Sequence, residues 1–119
     1  MKEKKFAWYK IAEYIGEIQF EENNIGVVEV DGKKICIAKN NDHLFAFAHT
    51  CPHAGGLLSD GYIDSSGNIV CPIHRYKYDL KNGRNISGEG YYLKNWPIEV
   101  RPDGVFVAME DSSAFWNLF

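Results

Sequence analysis

Two short motifs that combine cysteine with histidine constrain this chain more than any other feature of its sequence. Cys51-Pro52-His53 and Cys71-Pro72-Ile73-His74 each place a thiol and an imidazole within a few residues of each other. The motifs are 17 residues apart, counted between His53 and Cys71. Thiolate and imidazole occur together as ligands of zinc and of some iron–sulfur centres. We therefore expect the fold to bring two loops together around one metal centre.

The way in which cysteine and histidine are divided between the two loops distinguishes a zinc site from an iron–sulfur cluster. In zinc sites that mix cysteine and histidine, both cysteines usually come from one turn and both histidines from another. Here each loop offers one of each. Two loops can then hold a binuclear cluster, with both thiolates on one iron and both imidazoles on the other. This division favours an iron–sulfur cluster, and a structural zinc site stays the alternative.

The remainder of the chain consists of short apolar runs separated by turn residues, which predicts an all-β fold. Residues 26–30 and 33–39 are rich in β-branched side chains and are joined by Asp31-Gly32, a strong hairpin signal. Residues 43–49 are apolar on both faces, which predicts a central strand. Further strands are predicted over residues 76–80, 97–101 and 105–109, with turns at residues 65–68, 82–83 and 103–104. A short helix is the weak prediction for residues 112–119.

Composition and charge exclude several classes of function. A chain of 119 residues suits one domain, and a net charge of −3 gives no basic surface for nucleic acid. The basic start of the chain is not followed by the apolar run of a secretion signal, because Lys10 and Glu13 interrupt it. No segment approaches the roughly 18–20 apolar residues of a membrane span. We expect a cytoplasmic protein without a membrane anchor.

The two motifs resemble the signature boxes of Rieske iron–sulfur proteins. The first box reads Cys51-Pro52-His53-Ala54-Gly55-Gly56, and the second begins at Cys71-Pro72-Ile73-His74. The stretch from the second box to Gly83 is similar to that of Rieske ferredoxins and of assimilatory nitrite reductase small subunits. The resemblance covers about residues 35–109. It implies one Rieske-type [2Fe–2S] cluster per chain, with four ligands: Cys51, His53, Cys71 and His74.

The resemblance also implies an architecture. It predicts a single Rieske domain over residues 1–119, with an antiparallel, sandwich-like base and a small loop-rich cluster-binding subdomain. The subdomain is expected over about residues 50–87, inserted in a base formed by about residues 6–49 and 88–110. Both histidine ligands should then lie near the surface, where an electron can leave through an imidazole edge.

Departures from the family pattern narrow the subtype. Rieske proteins of cytochrome bc complexes carry an extra cysteine in each box, and Ile73 occupies that position in the second box. They also have a serine that donates a hydrogen bond to cluster sulfide, and this chain has Tyr76 at that position. One donor fewer leaves the reduced cluster less stabilised. We therefore expect a reduction potential in the lower part of the Rieske range of roughly −150 to +300 mV. Tyr78 matches the family's tyrosine that can bond a ligand-cysteine sulfur. With 119 residues, the chain is not expected to contain the catalytic domain of ring-hydroxylating oxygenases.

The leading hypothesis is a soluble Rieske ferredoxin without catalytic activity of its own. It would accept single electrons from a reductase and deliver them to an oxygenase or other acceptor. The alternatives are the small subunit of a nitrite-reductase-like complex and a zinc-stabilised interaction module.

We expect the other reactive and aromatic side chains to have structural roles. Cys36 lies in a strand pattern and is expected to be a buried apolar thiol. His49 is expected to be a hydrogen-bonded structural histidine. The aromatic side chains of the C-terminal segment, Phe115, Trp116 and Phe119, are expected to pack on the base rather than to anchor a partner.

Overall fold

The computed structural model describes residues 5–53, 55–88 and 90–110, and these residues form an antiparallel all-β fold, as predicted. Two single-turn 3₁₀ helices, Ile15–Glu17 and Leu58–Asp60, interrupt the strands. The strands of the described residues are β1 (Phe6–Ala12), β2 (Ile25–Val30), β3 (Lys33–Asn40), β4 (His43–Ala48), β5 (Tyr62–Ile63), β6 (Asn68–Val70), β7 (Lys77–Asp79), β8 (Asn95–Trp96), β9 (Ile98–Arg101) and β10 (Gly104–Glu110).

Three sheets contain these strands. Their strand orders are β1-β10-β9, β2-β3-β4-β8 and β5-β6-β7, and every pair is antiparallel. The third sheet lies between residues 62 and 79, within the range predicted for the cluster-binding subdomain. The division of the chain into a base and a subdomain stays a prediction.

The hairpin of β2 and β3 confirms the turn predicted at Asp31-Gly32. Val30 pairs with Lys33, so the loop has two residues. Both residues have positive φ, 50° for Asp31 and 80° for Gly32. These values are characteristic of a type I′ turn, whose twist matches that of the flanking strands. The turn therefore fixes the register that places Ile35 and Ile37 in the core.

β4 is the central strand that its apolar pattern predicted. It lies between β3 and β8, and its alternate side chains enter two different cores. Phe47 packs with the core that contains Cys51 and Cys71, whereas Ala46 packs with the core that contains Val107 of β10. Because β4 leads directly into the first Cys–His loop, both cores hold the start of that loop in place.

β1 was not recognised from the sequence. The sequence pattern places residues 6–12 in the base but predicts no strand there, yet they pair along β10 from Phe6↔Glu110 to Ala12↔Val105. The strand alternates exposed and half-buried positions until Ala12, and Lys10 interrupts its apolar character. This alternation is typical of an edge strand with one face in solvent. The helix predicted over residues 112–119 lies outside the described residues, as does the aromatic tail.

Long apolar helices are absent from the part of the chain that the structure describes. None there could cross a membrane.

The turn at Gly83 returns the chain from β7 toward β8. Gly83 has a φ of 76°, and its carbonyl accepts a hydrogen bond from the Leu93 N–H at 2.9 Å. A Cβ built on Gly83 would overlap the Leu93 carbonyl oxygen. Glycine is needed here both for the backbone conformation and for the close approach of two chain segments.

Gly83→Ala is expected to lower the free energy of unfolding by about 3 kcal/mol or more. The alanine would be strained by its left-handed backbone conformation, and its Cβ would also overlap the backbone of Leu93. Gly32→Ala is the matched control, since Gly32 also has positive φ but its Cβ would meet nothing within 4 Å. The control should lose only about 1–2 kcal/mol. Urea unfolding of both variants measures the difference, and equal losses would contradict this account of Gly83.

Candidate metal centre

The first Cys–His loop is closed by its own backbone hydrogen bonds. The Cys51 N–H donates to the Gly56 carbonyl at 2.8 Å, and the Gly55 N–H donates to the Cys51 carbonyl at 3.0 Å. Gly55 adopts a φ of 71°, which a residue with a side chain rarely does. An isolated bridge between Thr50 and Leu57 closes the base of the loop. The loop therefore holds Cys51 and His53 in a fixed relation.

The second loop connects β6 to β7 and reverses direction at two left-handed residues. The Cys71 N–H donates to the Tyr76 carbonyl at 2.8 Å. His74 and Arg75 have φ values of 62° and 56°. Each such residue without glycine's freedom costs about 1–2 kcal/mol. The pairing of β6 with β7 offsets this cost, and the reversal exposes the His74 side chain.

The two loops meet, and their four Cys and His side chains lie at one end of the third sheet. Cys51 and Cys71 are only 1% and 0% exposed, and the two thiols contact each other. The rings of His53 and His74 have centroids 5.7 Å apart. The thiols thus form an inner, buried pair, and the imidazoles form an outer pair. His53 is half-buried and His74 is exposed.

Burial and a backbone hydrogen-bond donor act on the pKa of the Cys71 thiol in opposite directions. Burial raises the pKa of the Cys71 thiol, and contact with Cys51 raises it further, while the Ile73 backbone N–H donates to the Cys71 sulfur and partly offsets the increase. A Cβ on Gly56 would lie 3.2 Å from that sulfur, so glycine leaves the space beside it open. Backbone N–H donors and glycine at close approach suit an anionic sulfur.

An orphaned polar atom tests whether this site suits an iron–sulfur cluster. Nδ1 of His53 is buried and has no hydrogen-bond partner among the described residues. A buried polar nitrogen without a partner costs free energy, which a bond to iron would offset. The described residues contain no group of three His, Cys, Asp or Glu side chains arranged to hold one ion. The contacting thiols and the neighbouring imidazoles can supply two ligands to each iron of a [2Fe–2S] cluster, so the residues present fit this group.

Tyr78 joins the two loops. It is fully buried, and its hydroxyl lies 3.4 Å from Sγ of Cys51 and accepts a hydrogen bond from the His53 backbone N–H. Burial and the neighbouring Cys51 raise the pKa of Tyr78 well above its usual value. The hydroxyl therefore stays protonated and can donate to the Cys51 sulfur. This is the position at which the sequence predicted a tyrosine–sulfur contact.

Tyr76 and Tyr91 have a role that sequence reasoning missed. The sequence shows Tyr76 only as the residue in place of a serine donor. In the structure its ring stacks on the His53 imidazole, with ring centroids 3.9 Å apart and an interplanar angle of 6°. The Tyr91 ring contacts the same imidazole edge-on, with ring centroids 5.1 Å apart and an interplanar angle of 65°. Nothing in the sequence pattern signals these contacts, because they join residues 23 and 38 positions apart.

Other residues near the two loops support the centre or lie away from it. Nε2 of His49 is 3.1 Å from the Ser59 hydroxyl, a structural hydrogen bond. Leu58 is buried beneath the first loop, whereas Leu57 is exposed beside it. Nζ of Lys77 lies 3.5 Å from Oδ2 of Asp64, so these two residues form an ion pair beside the third sheet.

Comparison with known proteins identifies the family of this chain. Residues 7–97 match the family model of the Rieske [2Fe-2S] domain. The ferredoxin component of the naphthalene 1,2-dioxygenase/salicylate 5-hydroxylase systems of Ralstonia sp is 26% identical over 90 residues, which cover 75% of this chain and 86% of the relative. The anthranilate 1,2-dioxygenase ferredoxin subunit of Burkholderia cepacia is 31% identical over 65 residues, 55% of this chain and 59% of that subunit.

Solved structures share the fold. The ferredoxin of carbazole 1,9a-dioxygenase from Nocardioides aromaticivorans IC177 superposes with a TM-score of 0.71 at 19% identity, covering 84% of this chain and 95% of that one. A chain from a complex of reduced oxygenase and oxidized ferredoxin in carbazole 1,9a-dioxygenase also gives 0.71, at 26% identity, covering 85% of this chain and 92% of that one.

Cys36 is expected to be chemically inert in the folded protein. It is fully buried, and burial raises the pKa of its thiol to about 12, so almost no thiolate exists at pH 8. Iodoacetamide at pH 8 should leave Cys36 unmodified until urea unfolds the chain, as followed by peptide mass spectrometry. Rapid modification of Cys36 in the folded protein would contradict its assignment to the core.

Proposed function

Because the chain belongs to the Rieske [2Fe-2S] domain family and carries a cluster of that type, we propose that it is an electron carrier that accepts one electron from a reductase and delivers it to an oxygenase. The observation that carries this proposal is the division of the site into two buried thiols and two outer imidazoles. When bound, the cluster supplies reversible one-electron oxidation and reduction.

The ligands that we propose are the four residues predicted from the sequence. Cys51 and Cys71 would hold one iron as thiolates, and His53 and His74 would hold the other as neutral imidazoles. The buried thiol contact and the orphaned Nδ1 of His53 support this assignment. The protein's own contribution is to exclude water from the sulfurs and to direct N–H and O–H donors at them.

The proposed partner is supported by two independent observations. The relatives in the comparison are ferredoxin components of dioxygenase systems, and one matched chain comes from a complex of an oxygenase with a ferredoxin. Exposed apolar side chains also adjoin the site in the chain: Leu57 follows the first loop, Ile73 precedes the exposed His74, and Tyr92 follows Tyr91. An apolar surface around an electron exit suits brief docking of another protein.

The same relatives favour a carrier over the small subunit of a nitrite-reductase-like complex. We also propose a cytoplasmic location, supported by the relatives, which are ferredoxin components of dioxygenase systems. Fractionation of cells that express the protein at natural levels would test the location.

Analysis of iron and acid-labile sulfide tests the ligands. The purified protein should contain two of each per chain, with a Rieske EPR signal after dithionite reduction. Cys71→Ser should lose the cluster, whereas the matched control Cys36→Ala should keep it with a loss of about 1 kcal/mol in unfolding free energy. Zinc in place of iron in the native protein would refute the cluster, and a fully loaded Cys71→Ser would refute the ligand set.

Delivery of the electron tests the function itself. The reduced, cluster-containing protein should be reoxidised by a dioxygenase terminal oxygenase in the presence of substrate, with product formed in proportion. A loaded protein that supports no turnover with any dioxygenase component tried, but that co-purifies with a larger reductase subunit, would contradict the carrier proposal.

Tyr78→Phe is expected to lower the reduction potential. The hydroxyl donates to the Cys51 sulfur, and this bond strengthens when the reduced cluster becomes more negative. A net hydrogen bond of about 0.5–1.5 kcal/mol corresponds to about 20–60 mV for one electron. Redox titration followed by EPR measures the shift, and an unchanged potential in a loaded variant would remove the hydroxyl from this role.

A further inference from the structure

The two imidazoles of the centre have unequal surroundings. His53 is half-buried between the parallel ring of Tyr76 and the edge-on ring of Tyr91. His74 is exposed, and its aromatic contact among the described residues is the tilted ring of His53. Its chain neighbours Ile73 and Arg75 are also exposed, so His74 is open to solvent.

Three separate segments of the chain converge on the His53 ring. His53 belongs to the first loop, whereas Tyr76 is tied to the second loop by the hydrogen bond from the Cys71 N–H. Tyr91 comes from the segment that returns toward β8, which is held by the bond between Leu93 and Gly83. The stack is therefore a noncovalent connection between the loops, and the positions of all three rings depend on the folded state of the whole site.

We propose that Tyr76 and Tyr91 are positioning residues that fix the plane of the His53 imidazole and cover it, so that a redox partner exchanges electrons through His74. This inference rests on the proposed ligation by both histidines. Stacked and edge-to-face contacts restrict the rotation of the ring, and an iron ligand whose ring is held keeps one orientation toward its metal. The half-buried His53 ring offers less surface to a docking partner than the exposed His74 does.

Spectroscopy of the reduced protein tests the positioning role of Tyr76. Tyr76→Phe keeps the stack and removes only the hydroxyl, so its EPR g values and histidine ¹⁵N couplings should equal those of the wild type. Tyr76→Leu removes the stack and should shift the coupling of one of the two histidines. A loaded Tyr76→Leu variant with wild-type couplings would overturn the positioning role, as would a Tyr76→Phe variant shifted as far as Tyr76→Leu.

Solvent exchange tests the cover without depending on any variant of Tyr76. In D₂O, pulsed EPR of the wild-type protein should show one imidazole N–H proton replaced about tenfold more slowly than the other, because ring contacts must open first. Tyr91→Ala should bring the two rates together. Tyr92→Ala is the matched control, since it removes an adjacent exposed tyrosine and should leave the difference unchanged.

The outcomes separate this inference from the proposed function. Equal exchange of both protons in a wild-type protein with full iron, sulfide and Rieske EPR signal would overturn the cover and leave the electron carrier standing. A wild-type protein without the cluster would instead refute the proposed function, and this inference with it. A difference in rate that Tyr92→Ala abolishes and Tyr91→Ala does not would also overturn the assignment.

Discussion

The contact between the two Cys–His loops is the constraint on which the rest of the site depends. Tyr78 makes this contact from β7, because its hydroxyl reaches Sγ of Cys51 and the backbone N–H of His53. β7 pairs with β6, which ends directly before Cys71. The same two strands therefore set the position of the second loop and the point at which it meets the first. No disulfide contributes to this junction.

The charge that each ligand would carry explains why the thiols are more deeply buried than the imidazoles. A thiolate in a low-dielectric interior needs donors aimed at it, and the backbone N–H of Ile73 and the Tyr78 hydroxyl provide them. A neutral imidazole needs less compensation. His53 is half-buried, and His74 lies at the surface, where a redox partner can approach it.

The base contributes rigidity rather than chemistry. The two faces of β4 pack into two different cores, and only two residues separate the end of β4 from Cys51 of the first loop. A displacement of Cys51 would require repacking of Phe47 and Ala46 on opposite faces of the sheet. Packed cores resist such changes, so the loop inherits the stability of the base. The site is thus built on strands, although its four candidate ligands all come from loops.

The sequence by itself determined the four candidate ligands, the all-β class and the β2–β3 hairpin, because each depends on residues close together in the chain. Asp31-Gly32 adopts its turn through local backbone preference, and the Cys–His spacing is readable without a fold. Only the tertiary structure decided that Tyr76 stacks on His53, that Tyr91 covers it, and that His74 stays exposed. β1 also needed its partner β10, since an edge strand gains its hydrogen bonds from a segment almost a hundred residues away. Contacts of this kind arise from packing between distant segments, and no local pattern encodes them.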